Sequence, residues 1–133
     1  MDENEAKKAV KEWLEKEKYI VKEEVKLEGG LLVPDFFAYK EKPSTQKRFN
    51  GESVDVETIW VEVKGDNANL TDIFGDLLKL SFVTYFYGGK GILAISTKYY
   101  NYLRKKKKFL NTGGIINVIR NESLKGRMDT FTF

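Results

Sequence analysis

Hydrophobic and polar positions along the chain change their period several times, and each change predicts an element. Residues 2–18 place apolar side chains at helical spacing between lysines and glutamates, which predicts an amphipathic helix. Residues 19–27 alternate apolar and charged side chains, which is the period of a strand. Gly29-Gly30 predicts a turn, and residues 31–39 predict a second strand that pairs with the first.

The rest of the chain alternates strands and helices. The polar segment 41–52 predicts a loop. Beyond it the pattern predicts a strand over 53–64, a helix over 71–87 ended by Gly88-Gly89, a strand over 92–95, a helix over 97–109, a strand over 115–119 and an edge-pairing segment over 130–133. Strands that first follow one another and then alternate with helices are typical of an α/β fold, with a mixed central sheet flanked by helices. The length of 133 residues predicts a single domain over 1–133.

The residue types that are missing restrict the chemistry. The chain contains no cysteine and no histidine. This excludes disulfides, zinc sites built from thiolates or imidazoles, cysteine nucleophiles and the Ser-His-Asp triad. Catalysis would have to use carboxylates, lysines and hydroxyl groups, with or without a hard metal ion.

Charge is unevenly distributed, although the net charge is only +3. Residues 1–28 contain 7 basic and 9 acidic side chains, residues 29–76 contain 5 and 9, and residues 77–133 contain 11 and 2. An acidic middle beside a basic C-terminal part suits a site that holds a cation and binds a polyanion, although a patchy solvated surface would give the same counts. No segment has the apolar pattern of a signal peptide or a membrane span, so we expect a cytoplasmic protein without a membrane partner.

Three ionisable residues are predicted to meet at the ends of neighbouring strands. Glu62 and Lys64 are two apart on one strand, so they point to one sheet face while Val61 and Val63 point to the other. Asp35 lies early in the strand that we expect beside them, directly after Pro34. Adjacent half-buried carboxylates repel each other unless a cation lies between them, and Mg²⁺ prefers oxygen ligands. With a lysine beside a metal-bound water, these groups suit phosphodiester hydrolysis; a simple cross-strand ion pair is the alternative.

Pro34-Asp35, followed after a spacer by Glu62-Val63-Lys64, resembles the motif of the PD-(D/E)xK nucleases. This restriction-endonuclease-like superfamily includes the archaeal Holliday junction resolvases. The resemblance implies that Mg²⁺, with Mn²⁺ as a substitute, is held by Asp35, Glu62 and the main-chain carbonyl of Val63. It also implies that Lys64 lies near the attacking water.

The resemblance extends to the order of elements. Residues 2–96 are similar to the restriction-endonuclease-like αβββαβ core, here with an extra C-terminal helix and strand. The segment 14–21, with the pattern Leu-Glu-x-x-x-Tyr-x-Val, looks most like the small resolvase-type members. Members often add an acidic residue from the first helix to the metal site, and Glu3 and Glu5 are the candidates here. Many also place a polar residue on the second helix, where Lys79 is the candidate.

Three further acids follow the motif strand. Asp66, Asp72 and Asp76 are candidates for additional metal ligands. Asp72 is better explained by the start of the second helix, where negative charge is stabilised by the helix dipole.

Positive charge is concentrated in one run, formed by Arg104, Lys105, Lys106, Lys107 and Lys108. Such a cluster neutralises phosphates, although a cationic helix C-terminus stabilised by the helix dipole is the alternative. Lys47 and Arg48 in the predicted loop are further candidates for contact with a nucleic-acid backbone. We therefore expect nucleic acid, with DNA the first choice, as the partner.

Together these features predict a metal-dependent endonuclease that acts on DNA, including branched or distorted DNA. A non-catalytic nucleic-acid-binding module of the same fold and an RNA-directed nuclease are the alternatives, because phosphate contacts do not separate DNA from RNA. Cutting two strands usually needs two active sites, so a homodimer is a further expectation. Phe131 and Phe133 are candidates for its interface.

Overall fold

The structure is a computed structural model of the chain, and it describes residues 2–43, 54–105 and 128–133. In chain order, the elements within these ranges are α1 (Glu3–Lys16), β1 (Ile20–Glu23), β2 (Phe36–Pro43), β3 (Val54–Lys64), α2 (Leu70–Tyr87), β4 (Lys90–Ile95), α3 (Thr97–Lys105) and β5 (Met128–Thr132). This order confirms the predicted succession of helix, three strands, helix, strand and helix. The strand predicted over 115–119 lies outside the described residues.

The five strands form one mixed sheet in the order β1-β2-β3-β4-β5. β2 runs antiparallel to both β1 and β3, whereas β4 runs parallel to β3 and β5 runs parallel to β4. Phe36, the first residue of β2, pairs with Val61. The last residues of β3 therefore extend past the start of β2, while β4 still pairs with them through Lys64. The fold is thus α/β, with helices on a mixed sheet.

Helix α1 covers one face of the sheet. Its inward side chains, Ala6, Val10 and Leu14, are fully buried against the odd-numbered residues of β3. The helix begins with a capping box, in which Asp2 accepts the N–H of Glu5 and Glu5 accepts the N–H of Asp2. Among the described residues, none of the buried polar side chains belongs to α1. This face is held together by apolar packing.

Helix α2 covers the opposite face. Its buried residues pack with even-numbered Trp60 of β3, with β4 and with Tyr99 of α3. The indole N–H of Trp60 donates to the carbonyl of Gly88, 2.9 Å away, just past the end of α2. Gly89 then turns the chain into β4 with φ +82°, and a Cβ there would lie 2.8 Å from the carbonyl oxygen of Thr58. The glycine pair therefore ends the helix as predicted, because no larger residue fits this turn.

The first hairpin differs from its prediction at both ends. Strand was predicted over 19–27 and 31–39, but β1 and β2 stop short of the connection, and β2 continues to Pro43 inside the predicted loop. The two strands do pair, through a longer connection that holds a 3₁₀ turn and an isolated bridge between Leu27 and Leu32. Both leucines pack against the core on the α2 side. Their apolar character therefore reflects this packing and not continued strand pairing.

The C-terminal segment is the edge strand among the strands that the structure describes, which confirms the predicted edge pairing. The ring of Phe131 stacks on Trp13 of α1 at a centroid distance of 3.8 Å, and Phe133 packs against the same cluster. Both rings are therefore partly buried within the fold, and their predicted part in a dimer interface stays a prediction. No helix in the described part of the chain is long and apolar enough to cross a membrane.

Candidate active site

Charged side chains gather where β3 extends past the start of β2. They come from the segment before β2, from β3 itself and from the helices α1 and α2: Asp35, Glu62, Lys64, Glu3, Lys7, Asp76 and Lys79. The three residues predicted from the motif are therefore brought to one place. They lie there because the register leaves the end of β3 without a β2 partner, which opens room for side chains between the two helices.

Asp35 links the two segments of the motif directly. Its Oδ2 accepts the N–H of Val63 at 2.8 Å, and its Oδ1 lies 3.3 Å from Nζ of Lys7 on α1. A residue in an extended strand directs its N–H and C=O to the same side. The carbonyl of Val63 therefore faces the side of β3 on which Asp35 lies, as the resemblance to the nuclease motif implies.

Glu62 is the most buried acid of the group, with only 2% of its surface exposed. Its Oε1 lies 3.0 Å from Nζ of Lys79. Even so, this oxygen has no partner with hydrogen-bond alignment among the described residues. Burial is the main cause that raises the pKa of Glu62 to about 8. The carboxylates of Asp35 and Asp76 also raise it, and Lys79 lowers it. Without another cation, Glu62 therefore holds a proton through most of the neutral range.

Lys64 forms a second buried pair. Its Nζ lies 2.9 Å from Oδ2 of Asp76 and 3.7 Å from Oε1 of Glu3. Burial alone would lower the pKa of Lys64, but the Asp76 carboxylate raises it above its ordinary value. Burial in turn raises the pKa of Asp76, against the opposing effect of Lys64. Lys64 is consequently an ammonium group at neutral pH.

The structure separates the two candidate acids of the first helix. Glu3 reaches Lys64 at the site, whereas Glu5 closes the capping box with Asp2. Asp72 lies in the first turn of α2, where its N–H donates to the side chain of Asn69. This position agrees with the interpretation of Asp72 as a residue of the helix start.

The predicted nucleic-acid contacts are only partly within the described residues. Lys79 points inward, close to Glu62 and 3.5 Å from the carbonyl oxygen of Val33, and not outward on an open basic surface. Arg104 and Lys105 form the end of α3, but their side chains are not described. The remaining candidates lie outside the described residues: Lys47, Arg48, Lys106, Lys107 and Lys108.

The sequence does not single out two members of the group. Asp76 is one of three acids that are candidates for additional metal ligands, and Lys7 is not among the candidates. Asp76 follows Ile73 by three residues and precedes Leu80 by four, so it shares their buried face of α2. This helical spacing is the signal that distinguishes it from the other two acids.

Two cavities are lined in part by residues of the group. One of about 230 Å³ is lined by residues that include Glu3 and Lys64. The other, of about 420 Å³, is lined by residues that include Asp35 and Lys7. The motif lysine and the motif aspartate therefore each line a cavity.

The oxygen atoms at the site suit a hard divalent cation. Within the described residues, no three acidic side chains converge to hold a metal by themselves. Mg²⁺, however, is usually bound by one or two carboxylates and keeps several waters. Asp35, the unaligned Oε1 of Glu62 and the carbonyl of Val63 fit that pattern.

Comparison of this chain with protein-family models, curated proteins and solved structures finds no match. Neither the family nor the activity is therefore shown by a relative.

Proposed function

We propose that this chain is a metal-dependent endonuclease that hydrolyses phosphodiester bonds in DNA with Asp35, Glu62 and Lys64. The observation that carries the proposal is the convergence of these residues at the end of β3, where Asp35 accepts the N–H of Val63. The order of elements and the strand directions, with an antiparallel meander followed by a parallel β4, are similar to the PD-(D/E)xK core. Motif and fold context thus support the same assignment.

Asp35, Glu62 and the carbonyl of Val63 are the groups that we propose to hold Mg²⁺, with Mn²⁺ as a substitute. Burial of two carboxylates near each other is unfavourable, and the raised pKa of Glu62 expresses that cost. A divalent cation held by these carboxylates would offset that cost. When bound, the ion supplies a water nucleophile of lowered pKa and a positive charge for the phosphate oxygens.

Lys64 acts as a hydrogen-bond donor and not as a general base. A protonated ammonium has three N–H donors and no acceptor, and the neighbouring Asp76 keeps Lys64 protonated. It therefore orients the attacking water and offsets negative charge on the phosphate. Asp76 holds Lys64 in position from the buried face of α2.

Lys79 is a positioning residue for Glu62 in this proposal. Its ammonium lies 3.0 Å from Oε1 of Glu62 and holds that carboxyl at the end of β3. Contact with the DNA backbone is assigned to the basic C-terminal part, since residues 77–133 contain 11 basic and 2 acidic side chains.

The test is cleavage of labelled duplex, single-stranded, flap, four-way-junction and RNA substrates in Mg²⁺, Mn²⁺ and EDTA. Asp35→Asn and Lys64→Gln are compared with wild type, and Lys8→Gln on the exposed side of α1 is the matched control. We expect metal-dependent cutting by wild type and Lys8→Gln and a loss of at least ~100-fold in the two site variants. Circular dichroism and melting confirm that each variant is folded.

A readout independent of cutting is metal binding. We expect Mn²⁺ to raise the melting temperature of wild type, and to raise it much less for Asp35→Asn. Cutting that persists in EDTA or in a folded Asp35→Asn variant would contradict the proposed mechanism. If RNA is cut in preference to every DNA substrate, the proposed substrate changes from DNA to RNA and the proposed hydrolysis chemistry stays the same.

One observation favours the non-catalytic module as a second candidate. Each carboxylate of the motif is paired with a lysine, Asp35 with Lys7 and Glu62 with Lys79, which compensates these charges without a metal. This candidate predicts salt-sensitive binding of nucleic acid, no cutting with any divalent ion, and no change of melting temperature with Mn²⁺.

A further inference from the structure

A third cavity lies next to the candidate active site, where the parallel strands β3 and β4 end. It measures about 270 Å³, and three residues after β3 and three residues of α3 line it: Asp66, Asn67, Ala68, Lys98, Tyr99 and Tyr102. Asn67 and Ala68 also line the cavity of about 230 Å³ that Lys64 lines. The two cavities therefore share part of their lining, and the start of α3 lies close to the motif lysine.

Hydrogen bonds fix the start of α3 to the end of β3. The N–H of Ser96 donates to the carbonyl of Lys64 at 3.1 Å, and the Oγ of Ser96 accepts the N–H of Tyr99 at 3.2 Å. Asn67 follows Lys64 by three residues, which span at most ~11 Å. Successive nucleotides of one DNA strand rise ~3.4 Å along a duplex. A nucleotide in the third cavity therefore lies within a few positions of a phosphate at Lys64.

The two tyrosines that line the third cavity differ in exposure. Tyr102 is 46% exposed, whereas Tyr99 is only 4% exposed. Their rings stack at a centroid distance of 5.8 Å and an interplanar angle of 24°. The buried ring of Tyr99 thus supports the exposed ring of Tyr102. A supported, exposed ring is the kind of surface on which nucleic-acid bases stack, and it accepts every base because each has a π-face.

The polar groups of the third cavity suit the edge of a base better than a phosphate alone. Among the residues that line it, Asp66 and Lys98 carry one negative and one positive charge, so the lining has no excess of positive charge to attract an isolated anion. Asn67 is exposed, and its amide offers both donors and an acceptor. Amides of this kind form hydrogen bonds with the edges of bases.

We infer that the third cavity binds one unpaired base of the DNA strand that is cut, with the base stacked on Tyr102 and hydrogen-bonded by Asn67. The inference rests on the proposed function and adds a substrate class to it. A base inside a duplex is stacked on both faces and paired along one edge, so it reaches such a cavity only from a single-stranded segment or by leaving the stack. The favoured substrates are therefore flaps and tailed duplexes, and not a continuous duplex.

The position of the third cavity favours a base of the substrate over a separate ligand. A free nucleotide would use the same ring and the same amide, but it would need no particular distance from Lys64. The shared lining and the hydrogen bond from Ser96 to Lys64 instead hold the stacking ring at a fixed place beside the motif lysine. A strand whose phosphate lies at Lys64 is thus the occupant that uses both cavities together.

The test is the affinity of the full chain, in EDTA, for a fully paired DNA duplex and for the same duplex with a short single-stranded tail. Tyr102→Ala should bind the tailed duplex ~5-fold or more weakly than wild type does, and the paired duplex equally well. Tyr102→Phe keeps the ring and should bind like wild type. Tyr85→Ala is the matched control, because Tyr85 is 71% exposed on α2 and does not line the cavity.

Two modified tails and a second variant identify the contact itself. The base analogue 2-aminopurine in the tail should lose fluorescence on binding wild type or Tyr102→Phe, but not on binding Tyr102→Ala. One abasic position in the tail should weaken binding by wild type and cause no further loss in Tyr102→Ala. Asn67→Ala, at an exposed position, should also weaken binding of the tailed duplex alone, so the inference stays testable if Tyr102→Ala does not fold.

Equal binding of the tailed duplex by wild type and Tyr102→Ala, an equal loss on both DNA molecules, or a mononucleotide that binds as tightly as the tailed duplex would overturn the inference. These results are distinct from those that decide the proposed function, because the binding assay contains no metal. Metal-dependent cutting without an effect of Tyr102→Ala on tail binding removes this site and keeps the nuclease. Tail binding through Tyr102 by a chain that cuts no substrate keeps this site and removes the nuclease.

Discussion

The two faces of β3 differ sharply in what they bury. On the α1 face, Val61 and Val63 are fully buried among apolar side chains. On the α2 face, the residues between and beside them, Glu62 and Lys64, are buried or half-buried next to charges from both helices. One strand therefore contributes an ordinary hydrophobic core to one side of the sheet and a polar cluster to the other.

This difference indicates that the α2 face of β3 contributes less to the stability of the fold than the α1 face does. An apolar cluster stabilises through burial alone, whereas buried ion pairs seldom repay the cost of removing charges from water. Replacing such pairs with well-packed apolar residues is often neutral or stabilising. The charges on the α2 face are therefore better explained by chemistry than by a structural need, which agrees with the proposed nuclease site.

The largest expected effect comes from placing a charge on the apolar face. Val63→Asp should lower the free energy of unfolding by about 3–5 kcal/mol, because the new carboxylate has no partner among the buried residues of α1. The same change at Val56, which is 55% exposed on the same strand, should cost about 1 kcal/mol or less. Urea unfolding of both variants measures the difference, and equal losses would remove the contrast between the faces.

A smaller loss is expected when one charge is removed from the polar face. Lys79→Met should lower the free energy of unfolding by about 1–3 kcal/mol, because it leaves Glu62 buried without its lysine. The loss should be larger above pH 8 than below, since Glu62 takes up a proton below that pH. Lys8→Met, at an exposed position of α1, is the control. A loss that does not depend on pH would show that Lys79 stabilises by packing alone.

Glu62→Gln should change the pH dependence of stability more than stability itself. The pKa of Glu62 is raised in the folded state, from 4.5 to about 8. Its favourable contribution is thus fully present below pH 4.5 and is lost as the pH rises through about 8. In EDTA, the melting temperature of wild type should fall across this window relative to that of Glu62→Gln. Parallel melting profiles for the two proteins would contradict the assigned pKa.

The smallest effects are expected at the helix starts, which hold both helices in position beside the cluster. Asp2→Ala and Asn69→Ala each remove an N-cap acceptor, so each should cost about 1 kcal/mol. Asp2→Ala should also loosen Glu3 from Lys64, because Glu3 is the first residue of α1. Chemical denaturation gives the energies. Losses above those of Lys79→Met would reverse the expected ranking.

Alternating patterns predicted the two faces of β3 correctly, since the direction of successive side chains in a strand follows from backbone geometry alone. The same reasoning extended the first two strands too far. Leu27 and Leu32 are apolar because they pack beneath α2, and a period of two does not distinguish that from strand pairing. The motif residues were placed together correctly because two of them lie on one strand and Asp35 adjoins the next.

The partners of the motif residues were not predictable in the same way. Helical spacing alone places Asp76 and Lys79 near the inner side of α2, but it does not say which of them meets Glu62 and which meets Lys64. The choice between Glu3 and Glu5 depended on the cap of α1, where Glu5 forms the capping box with Asp2. Such details depend on how each helix is rotated and placed on the sheet.

The sequence by itself determined the order of elements, the apolar and polar sides of β3 and the chemistry left open by the absence of histidine and cysteine. These properties are local, because they follow from residue type and backbone period. The tertiary structure decided the pairing of Glu62 with Lys79 and of Lys64 with Asp76, and it decided which apolar side chains of α2 are exposed. These depend on distances between elements far apart in the chain, which only the packing of the whole core sets.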